Sequence, residues 1–175
     1  MPYAIVLKCS NASAAPVTNL WLEASRFETI PSMERLNYPP HLTLATYEDS
    51  LPENLFATAR KVFGNMPAIS IGFSDIDHFP NEMLVLWARP ADDRLLRQIH
   101  RTIHDHIDPA LCHVHSHPDH WQPHCTIAMN IPAASKTQAL EWAALKRTPF
   151  TVTFDAVDCI RFPPVEIIEQ VKLLP

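Results

Sequence analysis

Three features of the chain predict an α+β protein of two pseudo-symmetric lobes around a central cleft. Short strand-like apolar runs alternate with segments whose apolar residues recur at helical spacing. The order strand, helix, strand, helix, strand is followed twice. A six-residue segment is also written twice, at matching places in that order. A length of 175 residues suits one domain, expected to span 1–175 with lobes built from duplicated halves, roughly 1–81 and 82–175. Each lobe is expected to be a mostly antiparallel sheet with helices on its outer side.

The first half opens with a strand from Tyr3 to Lys8. A helix follows from Pro16, a residue suited to a first helical turn, with Leu20, Trp21, Ala24 and Phe27 on one face. Pro39 and Pro40 close a loop, and His41 to Tyr47, rich in Leu and Thr, is a strand. A helix starting at Pro52 carries Leu55, Phe56, Ala59 and Val62 and stops at Gly64. Ala68–His78 and Met83–Ala88 are strands. In the second half Asp92 or Asp93 caps a helix whose buried face is Leu95, Leu96, Ile99 and Ile103. A polar, histidine-rich loop from Asp108 to Pro123 leads into a strand over His124–Ile131. Pro132 and Ser135 begin a helix through Leu140, Trp142 and Leu145, and strands over Phe150–Phe162 and Val165–Leu174 finish the chain. Trp21, Trp87 and Trp142 lie on apolar faces and belong to the core.

Composition narrows the function. With 47% apolar and 19% charged residues, the chain builds a real core. Fourteen Lys and Arg against nineteen Asp and Glu leave a charge of −5, which argues against binding long duplex nucleic acid through a broad basic surface. A small phosphate ligand needs only a few side chains. Gly64 and Gly72 are the only glycines, so neither a G-x-G-x-x-G fingerprint nor a P-loop can be written. Cys9, Cys112, Cys125 and Cys159 lie far apart with no C-x-x-C, as expected of free thiols in a reducing compartment. No basic leader precedes the first apolar run, and the longest apolar stretch, Met83–Ala88, is too short to span a membrane. A cytoplasmic, monomeric protein without membrane contact is expected.

The repeated segment is Pro40-His41-Leu42-Thr43-Leu44-Ala45 and Pro123-His124-Cys125-Thr126-Ile127-Ala128, its histidines 83 positions apart. A second echo follows each copy: Phe73-Ser74-Asp75-Ile76-Asp77, ending at Phe79-Pro80, and Phe154-Asp155-Ala156-Val157-Asp158, ending at Phe162-Pro163. In a strand, residues i and i+2 share a side, so His41 sits with Thr43 and His124 with Thr126. If the lobes face each other, one cleft holds two imidazoles and two hydroxyls. One neutral imidazole can take a proton from an attacking oxygen while one imidazolium protonates a leaving oxygen. The threonines can donate to the non-bridging oxygens of a phosphate. Either copy alone is explained by a packed histidine on a threonine-rich strand; the duplication favours the chemical reading.

At these residues the chain resembles the two-histidine (2H) phosphoesterases, a family of 2′-5′ RNA ligase-like proteins and cyclic nucleotide phosphodiesterases marked by paired His-φ-Thr-φ motifs on two similar lobes. Here the motifs are His41-Leu42-Thr43-Leu44 and His124-Cys125-Thr126-Ile127, with Cys125 a mild departure where a bulkier apolar residue is common. The resemblance implies a phosphoesterase that needs no metal and no cofactor and opens 2′,3′-cyclic or related phosphodiesters of small nucleotides or RNA ends, and that could also run in reverse as a ligase. It implies His41 and His124 as the acid–base pair and Thr43 and Thr126 as phosphate ligands. Tyr47, Phe79 and Trp121 are candidates for stacking a base. Arg89 and Arg161, at strand ends, suit either a phosphate or a neighbouring acid.

Other histidines offer rival readings. His113–His120 mimics the H-x-H-x-D-H pattern of metallo-hydrolases at His115, His117, Asp119 and His120, which makes a metal-dependent hydrolase the main alternative. The further downstream ligands such enzymes need are missing. His100 and His104, spaced i, i+4, suit two metal ligands or a solvated helix face, and His106 lies near that helix's end. A binding module without turnover, or a duplication of purely structural meaning, are the remaining possibilities.

Overall fold

The strand β1 (Tyr3–Lys8) is apolar on both faces and buried on both. Ile5 and Leu7 enter the main core, while Ala4 and Val6 join Tyr38 and Ile160 in a smaller cluster on the opposite face. A strand covered on both faces needs partners on both edges as well. β1 lies between β2 (His41–Tyr47) and β7 (Ala156–Arg161), with β8 (Glu166–Lys172) beyond β7. A second sheet has the order β5 (Cys125–Ile131), β4 (Leu84–Pro90), β3 (Ile69–Phe79), β6 (Phe150–Phe154). Pairing within both sheets is antiparallel. The structure, a computed structural model, describes residues 1–48 and 54–175.

The α+β architecture of two sheets with helices is as predicted, but lobes and halves do not coincide. β1 and β2 of the first half share a sheet with β7 and β8 of the second, and β3 joins β4, β5 and β6. The reason lies at Asp155, within what the pattern reads as one strand, Phe150–Phe162. The chain leaves one sheet after Phe154 and enters the other at Ala156. Between them the Asp155 N–H donates to the Lys8 carbonyl at 3.1 Å, and its carboxylate accepts from the Ser10 N–H at 2.8 Å. At the matching place of the first copy, Ser74, the strand only bulges.

Helices α1 (Ala15–Ala24), α3 (Leu55–Phe63), α4 (Arg94–His104) and α5 (Lys136–Leu145) stand where apolar spacing places them. The start expected at Pro52 lies outside the described residues. One helical turn, α2 (Ser32–Leu36), is too short to carry a periodic signal. The histidine-rich loop winds into two 3₁₀ turns, Pro109–Leu111 and Val114–Ser116. The halves interlock: α1 and α2 pack on β5, and the Val114–Ser116 turn packs on β2. Trp21, Trp87 and Trp142 are buried, and the four cysteines are free. No described helix is long and apolar enough to cross a membrane.

Beneath the smaller cluster lies a buried ion pair that the pattern does not reveal. Lys8 Nζ sits 2.6 Å from Asp158 Oδ2, with Lys8 6% and Asp158 0% exposed. Burial is tolerated because the carboxylate is fully engaged: Tyr38 donates its hydroxyl at 2.7 Å and Gln170 its amide at 2.9 Å. Asp77, the counterpart of Asp158 in the sequence echo, pairs with Arg89 near the surface. Asp158→Ala strands the Lys8 ammonium and is expected to cost about 3–5 kcal/mol, measured by urea denaturation. The double variant Lys8→Met/Asp158→Leu should recover most of it, and a cost below about 1 kcal/mol for the single variant would contradict this account.

Candidate active site

Both motif strands, β2 and β5, lie at sheet edges, and they approach one another across a cleft of about 420 Å³. β2 contributes His41 and Thr43 to its wall, and the second copy contributes His124 and Thr126. The sequence-predicted quartet therefore shares one cavity. His124 stands one residue before β5 begins, where the matching His41 opens β2.

Local geometry fixes both rings in the same way. His41 Nδ1 lies 2.8 Å from the carbonyl of Pro39, and His124 Nδ1 lies 2.7 Å from that of Gln122. A carbonyl only accepts, so Nδ1 carries the proton in the neutral ring and Nε2 keeps its lone pair. Aromatic edges hold the rings from the side: Tyr38 lies 5.1 Å from His41, and Phe79 lies 5.1 Å from His124. Burial holds both imidazoles below the ordinary histidine pKa, partly offset by the carbonyl bonds. Charge on His124 lowers His41 further, which places the two rings in each other's field.

A β-bulge follows the threonine in both copies. The register against the neighbouring strand slips at Leu44 in β2 and at Ile127 in β5. One extra residue reverses the alternation beyond it. Thr46, Glu48 and Met129 consequently turn into the cleft. Ala45, Tyr47 and Ala128 turn into the core.

The bulge thereby corrects one expected base-stacking residue. Tyr47 is 1% exposed in the core and presents no face to a ligand. Trp121 is a second correction: it is buried, and its ring is already stacked on His100 at 4.1 Å. Phe79 is half-buried and stacks on Trp87 beside His124. The aromatic residues of the cleft itself are Tyr38 and Phe162. Phe162 could have been found as the repeat partner of Phe79. Thr46 and Glu48 had no sequence signal, because the bulge that exposes them has none.

Trp121 has another task. Its indole N–H donates to the Thr43 carbonyl at 3.1 Å, and the indole of Trp21 donates to the Thr126 carbonyl at 2.9 Å. The serines match as well. Ser116 Oγ accepts from the Thr46 N–H at 3.1 Å, and Ser32 Oγ from the Met129 N–H at 3.0 Å. In each case a residue of one half braces the motif strand of the other.

Arg89 and Arg161 are ion-paired to Asp77 and Glu166 and do not line the cleft. Cys125 is buried, and burial pushes its thiol up to about 12, so it is no nucleophile. His100 is buried under the loop, its Nε2 2.9 Å from the Ser116 carbonyl, and burial pushes its pKa down to about 4. Within the loop, His113 faces Glu48 and His117 faces Asp119. Among the described residues no group of three or more His, Cys, Asp and Glu is arranged to hold a metal ion.

Two imidazoles, each held at Nδ1 by a backbone carbonyl, stand on two bulged strands of one cleft, the arrangement that the resemblance to the two-histidine phosphoesterases implies. The family comparison agrees: the model of the 2′-5′ RNA ligase superfamily matches residues 15–163, and the chain belongs to that superfamily. No match is found among curated protein sequences. Among solved structures, TT0787 of Thermus thermophilus is similar at 15% identity and a TM-score of 0.65, covering 99% of this chain and 98% of that one. LigT of E. coli, solved with NADP+, matches at 14% identity and 0.59 over 99% and 97%. Usb1 of Kluyveromyces marxianus matches at 10% and 0.52 over 98% of each chain. At these identities the likeness is one of fold.

Trp21→Phe and Trp121→Phe keep the ring and remove one hydrogen bond to a threonine carbonyl. Each is expected to cost about 1–2 kcal/mol of stability. Trp142→Phe loses an indole bond to Glu23 far from the cleft and serves as control. Any turnover by the site should fall several-fold in kcat for the first two variants and stay unchanged for the third.

Proposed function

We propose that the protein is a metal-independent cyclic phosphodiesterase that opens 2′,3′-cyclic phosphodiesters of small nucleotides or RNA ends. The observation that carries this reading is the pair of Nδ1-anchored imidazoles facing one cleft. One Nε2 takes a proton from water as its oxygen bonds to phosphorus. The opposite ring, protonated, gives its Nε2 proton to the departing ribose oxygen as the P–O bond breaks. Proton exchange with solvent resets the two rings after each turnover; in the reverse direction they exchange roles, and an RNA hydroxyl in place of water would make the same step a ligation. Thr43 and Thr126 donate to the non-bridging oxygens, whose charge grows in the transition state. Structures of LigT with 3′-AMP, ATP and phosphate lend support to a small nucleotide ligand.

Turnover of a panel of 2′,3′-cyclic nucleotides in EDTA tests the reading. His41→Ala and His124→Ala should each lose at least about two orders of magnitude, as paired acid–base groups do. The position of phosphate on the product shows which ribose oxygen departs. Activity restored only by zinc or manganese, and retained by both variants, would overturn it.

The pH profile follows from the lowered pKa values. Below the lower one the base is protonated, so kcat/KM falls with falling pH; above the higher one the acid has lost its proton, and kcat/KM falls with rising pH. Both lie beneath the ordinary 6.5. The free-enzyme profile should peak on the acid side of 6.5, and a peak above about 7.5 would contradict the site described.

A further inference from the structure

The cleft carries an anion site without a cation to match. Among the described residues its wall holds no lysine or arginine; the charged side chain there is Glu48. Two bases on neighbouring strands of the β2 sheet are committed elsewhere: Lys8 is buried on Asp158, and Arg161 is paired with Glu166. Glu48 stands at the open side of the cleft, its side chain 59% exposed. The bulge turns it inward, and the His113 N–H donates to the Thr46 carbonyl at 2.7 Å. That bond sets His113 Nε2 3.3 Å from the Glu48 carboxylate. Even a protonated His113 only cancels this one charge. Apart from Thr46 and Tyr38, the rest of the wall is apolar: Met33, Leu36, Ile160, Phe162 and Val165 line it with the quartet.

From this we infer that the site selects a phosphodiester that carries a single negative charge on an otherwise uncharged body, and rejects substrates bearing a second phosphate. The inference rests on the phosphodiesterase reading and narrows it. A nucleoside 2′,3′-cyclic phosphate has one diester charge, which two hydroxyl donors and one imidazolium can satisfy. A 5′-phosphate adds up to two charges that would find no basic partner in the wall of a cavity of about 420 Å³ and would be repelled by Glu48 where it comes close. The same rule favours turnover. Opening the ring converts a monoanionic diester into a monoester that is mostly dianionic at neutral pH, so the product leaves a site that no longer suits it.

The test compares adenosine 2′,3′-cyclic phosphate with its 5′-phosphorylated form, by turnover with wild type and by calorimetric binding to His124→Gln. The unphosphorylated compound should be favoured about ten-fold or more in both readouts at low salt, with the margin shrinking towards about 0.5 M salt. Glu48→Gln should reduce the preference, and Glu48→Lys should abolish or reverse it. 3′-AMP, as a dianionic monoester, should inhibit only weakly. Equal use and equal binding of the two compounds, a ratio insensitive to Glu48, or no binding of either would overturn the inference. Discrimination in binding without turnover by wild type would keep charge selection and instead count against the phosphodiesterase reading.

Discussion

An edge strand has a row of backbone groups with no ladder partner, and both motif strands of this protein are edges. The structure depends on how those groups are satisfied. Each strand takes its missing partners from the other half of the chain: Trp21, Ser32 and Glu28 on β5, and Trp121, Ser116 and His113 on β2. Indoles take the threonine carbonyls, and serines take the N–H groups past each bulge. Pairing with a third strand would have closed the edges but filled the cleft. Bracing by side chains leaves the inner face open and still fixes its backbone, which is what positioned donors require.

This arrangement couples the two halves. Each motif strand pairs with a strand of its own half on one edge and is braced by the other half on its open edge, and the sheets themselves exchange strands at Asp155. The cleft is consequently a product of the whole chain, and separating residues 1–81 from 82–175 would unmake both walls. The buried Lys8–Asp158 pair ties the floor into the same scheme, since Asp158 also holds the hydroxyl of Tyr38, whose ring flanks His41.

Much of this was legible in the sequence. The doubled Pro-His-x-Thr segment located both histidines, and apolar spacing placed α1, α4 and α5. What escaped has physical reasons. A bulge adds one residue without any glycine to mark it, and strict alternation from His41 would place Tyr47 in the cleft and Glu48 out of it. Phe150–Phe162 is β-prone throughout, and only Asp155 hinted at a change of sheet. Trp121 looked like a stacking platform because a sequence lists the ring but not its partner, here His100. The single turn of α2 is held by tertiary bonds, with Ser32 and Glu28 meeting β5.

The central claim is that two imidazoles share one cleft with Nδ1 protonated, Nε2 free and a common electrostatic field. Nitrogen-15 NMR of the histidine rings across a pH titration tests it most directly, with His41→Gln and His124→Gln assigning the signals. The account predicts the Nδ1–H tautomer for both, midpoints below 6.5, and a rise in the His41 midpoint when His124 is replaced. Nε2–H tautomers, or ordinary midpoints indifferent to the other histidine, would contradict it.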